Sequence, residues 1–146
     1  MHRITLTLMA FYGMAHVAQA EGRFFCSADD KSARFTVDSG FEGGVGNKLN
    51  HFRGALIVKN DGVSPVFHKL TLDSDNLSHD WQHGGELRFQ IFRTADDDSG
   101  GQAMDMAIAA DQPSKSATAF SGTYELTISG GDKPFTASGK ASCGAK

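Results

Sequence analysis

An antiparallel all-β domain is what this sequence predicts, built as a β-sandwich of about eight short strands or, as the alternative, a small β-barrel. Three observations predict it. Apolar residues recur at every second position through most of the chain, clusters of Gly, Asp, Asn and Ser separate these runs, and the only two cysteines lie near opposite ends. Period two places successive side chains on opposite faces of a strand, so a strand with one wet face alternates apolar and polar residues. Turn-forming residues between such runs join neighbouring strands directly, without crossover helices.

The runs follow in order. Phe24, Cys26 and Ala28 share one parity, as do Ala33, Phe35 and Val37; Ala55-Leu56-Ile57-Val58 is a compact apolar run. Val66, His68, Leu70 and Leu72 come next, then Leu87, Phe89 and Ile91, then Met104, Met106 and Ile108. Tyr124, Leu126 and Ile128 precede a last run of Phe135, Ala137, Gly139, Ala141 and Cys143. Breaks are expected at Asn60-Asp61-Gly62, Gly84-Gly85, Asp96 to Gly101, Asp111 to Ser114 and Gly130-Gly131-Asp132. Asn76 to His83 reads as a helical turn, with Ser78 as its N-cap and Gly84 as its stop. The Gly-rich stretch Ser39 to Asn47 reads as a loop long enough to overhang a binding face.

The first 20 residues have the layout of a secretory signal peptide: His2 and Arg3, an apolar stretch from Ile4 to Val17, and the small-residue triplet Ala18-Gln19-Ala20. About 14 apolar residues make a helix of roughly 21 Å, short of a hydrocarbon core of roughly 30 Å, so no membrane span is expected. Cleavage would leave a single domain, residues 21–146, exported to the periplasm or the medium. That domain carries 13 basic against 17 acidic side chains. Such a balance lacks the positive patch with which proteins neutralise phosphates, so nucleic acid is not an expected partner.

Export sets the reading of the cysteines. In an oxidising compartment Cys26 and Cys143 are expected to pair, and their shared inward parity makes the first and last strands neighbours or partners across the core. Their spacing lacks the close C-x-x-C arrangement of a redox-active pair.

Candidate chemistry is sparse. His79 and His83 are four apart and on a helix would share a face as metal ligands do, with Trp81 between them as a core anchor or a binding aromatic. Met104 and Met106 offer thioethers to copper, although their parity with Ile108 suits a core strand. The acidic turns Asp73-Ser74-Asp75-Asn76 and Asp96-Asp97-Asp98 lack the full ligand spacing of a calcium loop. No nucleophile elbow, zinc-protease helix, phosphate loop or dinucleotide fingerprint is present, so no enzymatic role and no cofactor are expected.

Phe120 to Ile128, reading Phe-Ser-Gly-Thr-Tyr-Glu-Leu-Thr-Ile, resembles the Ser-Gly-x-Tyr strand opening of some periplasmic lysozyme inhibitors. It equally resembles the closing strand of secreted β-sandwich modules. The first resemblance implies that Ser121 and Gly122 enter an enzyme's cleft with Tyr124 near the contact; the second implies that Gly122 turns the chain and Tyr124 packs beside Leu126 and Ile128. The function expected is an exported, non-enzymatic module that binds a protein or a cell-envelope component, for instance as an inhibitor or adaptor. The alternative is a small copper- or zinc-handling protein.

Overall fold

The computed structural model describes residues 22–41, 49–95 and 101–146. The predicted signal segment 1–20, residues 42–47 of the predicted loop and residues 96–100 lie outside them. Among the described residues there are nine strands: β1 Arg23–Asp29, β2 Ala33–Phe41, β3 Leu49–Val58, β4 Leu70–Asp73, β5 Leu77–His83, β6 Glu86–Thr94, β7 Ala103–Asp111, β8 Ala119–Ser129 and β9 Phe135–Ala145. They form one antiparallel sheet in the order β4-β3-β2-β1-β9-β8-β7-β6-β5, nearly closed on itself. The expected antiparallel all-β fold is therefore present. Its core is wrapped by one continuous sheet, which is the barrel arrangement left short of closure.

The near-closure has a local cause. Neighbours alternate in direction, so the two edge strands β4 and β5 run the same way, and only Ser74–Asn76 separates them. They are two halves of one broken strand, the first pairing with β3 and the second with β6. The break is a 3-10 turn. Asp75 donates its backbone N–H to Asp73 Oδ1 at 3.0 Å, and Asp73 donates its own to Asn76 Oδ1 at 3.1 Å. Short polar side chains that bond the local backbone in this way take it out of the ladder.

Asn76 to His83 is thus not the expected helical turn. Ser78 lies within β5, where its hydroxyl donates to Gln90 O at 3.1 Å. Gly84 and Gly85, with φ of 59° and 97°, form a two-residue hairpin that brings His83 opposite Glu86. Positive φ at both central positions is the turn whose twist suits paired strands. The Gly pair therefore folds β5 back on β6. Val66 and His68, expected within a strand, are not in one: Pro65 opens a 3-10 turn, Pro65–Phe67, and β4 starts only at Leu70. Ser39 and Gly40 belong to β2, and buried Ser39 donates to Asn50 O at 2.9 Å, so the expected loop begins later than its sequence suggests.

Buried residues from every strand except β5 form one cluster, and β5 adds only the partly buried Leu77 against it. Phe24 and Phe52 both meet the ring of Phe89 edge-on, with centroids 5.5 and 5.9 Å apart. One end of the barrel is closed by the connection between β3 and β4, which buries Val63 and Phe67 and whose Ser64 N–H donates to Gln102 Oε1 at 2.9 Å. Cys26 and Cys143 stand directly opposite each other in the β1–β9 ladder and are disulfide-bonded. No helix among the described residues is long and apolar enough to cross a membrane.

Candidate functional site

Beyond Leu77, β5 takes no part in the core. From Ser78 to His83 every residue is exposed, and Trp81, the only tryptophan of the chain, keeps 48% of its surface in water. Its neighbours explain how it is held. Trp81 is the register partner of Arg88 on β6; the guanidinium lies 5.8 Å from the indole centroid, and the ring of His83, two residues along β5, lies 6.0 Å away. A cation near an aromatic face and a second ring beside it restrain the indole on the outer surface.

The ladder carries this surface across the sheet. Arg88 faces Ala109 on β7, Ala109 faces Thr123 on β8, and Thr123 faces Lys140 on β9; in the adjoining row His79 faces Gln90, Gln90 faces Ala107 and Ala107 faces Glu125. Two alanines side by side on β7 leave a low floor between larger neighbours. The result is a depression of about 450 Å³ with Trp81 as one wall, alanine methyls beneath, and Gln90, Thr123 and Glu125 around it. A second depression of about 370 Å³ continues it, sharing Arg88, Ala109 and Thr123 and adding Ser121, Gly122 and Lys140. Gln90 is fixed in place: its Nε2 donates to both Asp105 oxygens at 2.9 and 2.7 Å, which leaves Oε1 as an acceptor.

The residues singled out from sequence divide here. His79, Trp81, Ser121 and Gly122 line the two joined depressions, although Ser121 and Gly122 sit within β8 and not in a loop. Tyr124 does not reach the surface. It is 1% exposed, its ring meets Phe35 edge-on at 5.2 Å, and its hydroxyl donates to Asp30 Oδ2 at 2.5 Å. Parity decides this: Tyr124 is in step with Leu126 and Ile128 on the core face, as the second resemblance implied, while Ser121, Thr123 and Glu125 point outward. Its partner Asp30 is held below the usual carboxylate range, first by the Tyr124 hydrogen bond and then by the backbone N–H groups of Ser32 and Ala33. Burial and the Asp30 carboxylate push the Tyr124 phenol well above its ordinary value.

His79 and His83 share the outer face of β5, but a strand spaces them about 13 Å apart along the chain with Trp81 between them, where a helix would have set them one turn apart. Met104 and Met106 are fully buried. Among the described residues no three His, Cys, Asp or Glu side chains gather where they could hold a metal ion. The face also differs from a larger depression of about 650 Å³ beside Arg23, Arg53 and Asp73. There the cations are already engaged: Asp38 accepts from Arg23 at 2.8 Å and from Arg53 at 2.7 Å. The pairing holds the Asp38 carboxyl below its ordinary value, chiefly through Arg53.

Sequence reasoning missed Arg88, Gln90, Ala107 and Ala109. The available signal was the alternation itself, since Ala107 and Ala109 occupy the outward positions between Met106, Ile108 and Ala110 where larger polar residues are usual. No protein family matches this chain, and no curated protein and no solved structure matches it either.

Proposed function

We propose that this protein is an exported, non-enzymatic binding module that presents the outer face of β5 to β9 to a component of the cell envelope. The observation that carries the reading is Trp81, a large aromatic side chain kept half in water at the wall of a preformed depression. Fully burying an indole on folding would stabilise the domain by a few kcal/mol, and with 48% of Trp81 in water this fold forgoes about half of that. Exposed aromatics beside fixed polar groups are the usual anchors of recognition surfaces.

Export is supported by the N-terminal layout and by the Cys26–Cys143 bridge, which persists in oxidising compartments. The pulled-apart histidines and buried methionines favour this reading over metal handling. The test is cosedimentation of the purified, oxidised protein with the insoluble envelope fraction of the source cells. Wild-type protein is expected to be retained, and Trp81→Ala to lose retention by at least about tenfold, the loss typical of a central aromatic anchor. Equal retention of the two proteins, or retention of neither, would remove the basis for the proposal.

A further inference from the structure

Resting on that reading, we infer that the ligand of the Trp81 face is an uncharged glycan, laid across strands β5 to β9. The chemistry of the surface selects this class. A sugar ring has an apolar face of C–H groups, which suits an aromatic plane, and a rim of hydroxyls that both donate and accept hydrogen bonds. The surface supplies both: the half-exposed indole of Trp81 and the methyls of Ala107 and Ala109, then donors on Arg88 and Lys140, acceptors on Gln90 Oε1 and Glu125, and the hydroxyls of Thr123 and Ser121.

The shape points the same way. The two depressions share a border and run across four strand spacings, about 19 Å, enough for several sugar rings in a chain. Neither is a closed, apolar pocket of the kind that desolvates a hot-spot side chain of a protein partner. Charge selects against an ionic ligand. Arg88 and Lys140 lie among the carboxylates of Asp80, Glu86, Asp111 and Glu125, so the lining is net negative and repels a polyanion, while its two cations interrupt the negative field that a polycation would follow. The fixed Gln90 amide is the expected specificity element, since a buried or fixed acceptor left without its hydroxyl partner weakens binding to sugars that lack it.

The experiment divides the envelope fraction of the source cells into three portions. One is untreated, one is digested with a broad-specificity protease, and one is treated with anhydrous trifluoromethanesulfonic acid, which cleaves glycosidic bonds and leaves peptide bonds. Oxidised wild-type, Trp81→Ala and Gln90→Ala proteins are sedimented with each, and circular dichroism confirms that the variants fold. The expected result is retention on the untreated and protease-digested portions, loss on the deglycosylated portion, and at least about tenfold weaker retention of Trp81→Ala. Retention that survives deglycosylation and disappears with protease would overturn the glycan assignment and leave the binding-module reading standing, with a protein as partner. Retention of no portion, or retention indifferent to Trp81, would overturn both.

Discussion

Tyr124 and Asp30, 94 positions apart in the chain, are joined by a 2.5 Å hydrogen bond from the phenol to the carboxylate. The bond ties the middle of β8 to the turn between β1 and β2, and the other oxygen of Asp30 accepts from Ser32 N–H at 2.8 Å and Ala33 N–H at 3.0 Å. One carboxylate thus orders a hairpin turn and anchors a core aromatic.

Removing the phenol hydroxyl tests the pair. Tyr124→Phe is expected to lower stability at pH 7 by about 1–2 kcal/mol, the value of a hydrogen bond to a charged group reduced for the partial exposure of Asp30. Urea denaturation measures it. Asp30 has a depressed folded pKa, so its contribution is present above the unfolded value near 4 and disappears as pH falls through the lower folded value. The wild-type advantage over the variant should therefore shrink in acid. Tyr124 has a raised folded pKa, so its contribution is complete below about pH 10 and declines as pH rises from there.

Gly139 lies opposite Tyr124 in the β8–β9 ladder. A Cβ at that position would stand 2.7 Å from Asp30 Oδ2 and 2.8 Å from Tyr124 Cε1, closer than either can tolerate without moving. Gly139→Ala is expected to cost about 1–3 kcal/mol by displacing the pair. In a Tyr124→Phe background the added cost should be smaller, because the bond it disturbs is already absent. Denaturation of the single and double variants gives the coupling directly.

Reduction of the Cys26–Cys143 bridge should lower the urea midpoint sharply. The bridge spans a sequence separation of 117, and chain-entropy reasoning gives roughly 4–5 kcal/mol for a loop of that size. Comparing oxidised protein with the same protein in excess reductant measures the effect; a midpoint unchanged on reduction would contradict it.

Trp81 supplies a spectroscopic prediction. Because the sole indole is half in water, its emission in the native protein should lie close to that of indole in water and move little on unfolding. Trp81→Ala should lower stability by only about 0.5–1 kcal/mol, the value of its exposed contacts with Arg88 and His83. A large blue shift on folding would mean that the side chain is buried.

The alternation made most strands legible because a barrel wall has one wet and one dry face, and Leu87-Arg88-Phe89-Gln90-Ile91 records that directly. β5 was not legible for the same reason inverted. Ser78-His79-Asp80-Trp81-Gln82-His83 has no dry face, so periodicity is silent and its strand identity comes from pairing with β6 through the Gly84-Gly85 turn. Trp81 could be singled out from the sequence as a candidate, but whether it faced core or solvent depended on which strand lay beside it. The depression depended on Ala107 and Ala109 lying next to Arg88 and Gln90, and alternation assigns faces without assigning neighbours.

The sheet order has a kinetic consequence. Every ladder joins strands consecutive in sequence except that between β1 and β9, so two meanders, β1 to β4 and β5 to β9, can assemble from short-range contacts. The pairing of Phe24 to Ser27 with Ala145 to Ser142 must then bring together opposite ends of the chain. Long-range closures of this kind are the slow part of folding, since their loop entropy is lost before their contacts form. Because Cys26 and Cys143 sit within that ladder, their oxidation is expected to accompany its completion. Hydrogen exchange during refolding should accordingly protect the β6–β7 and β2–β3 amides first and the β1–β9 amides last.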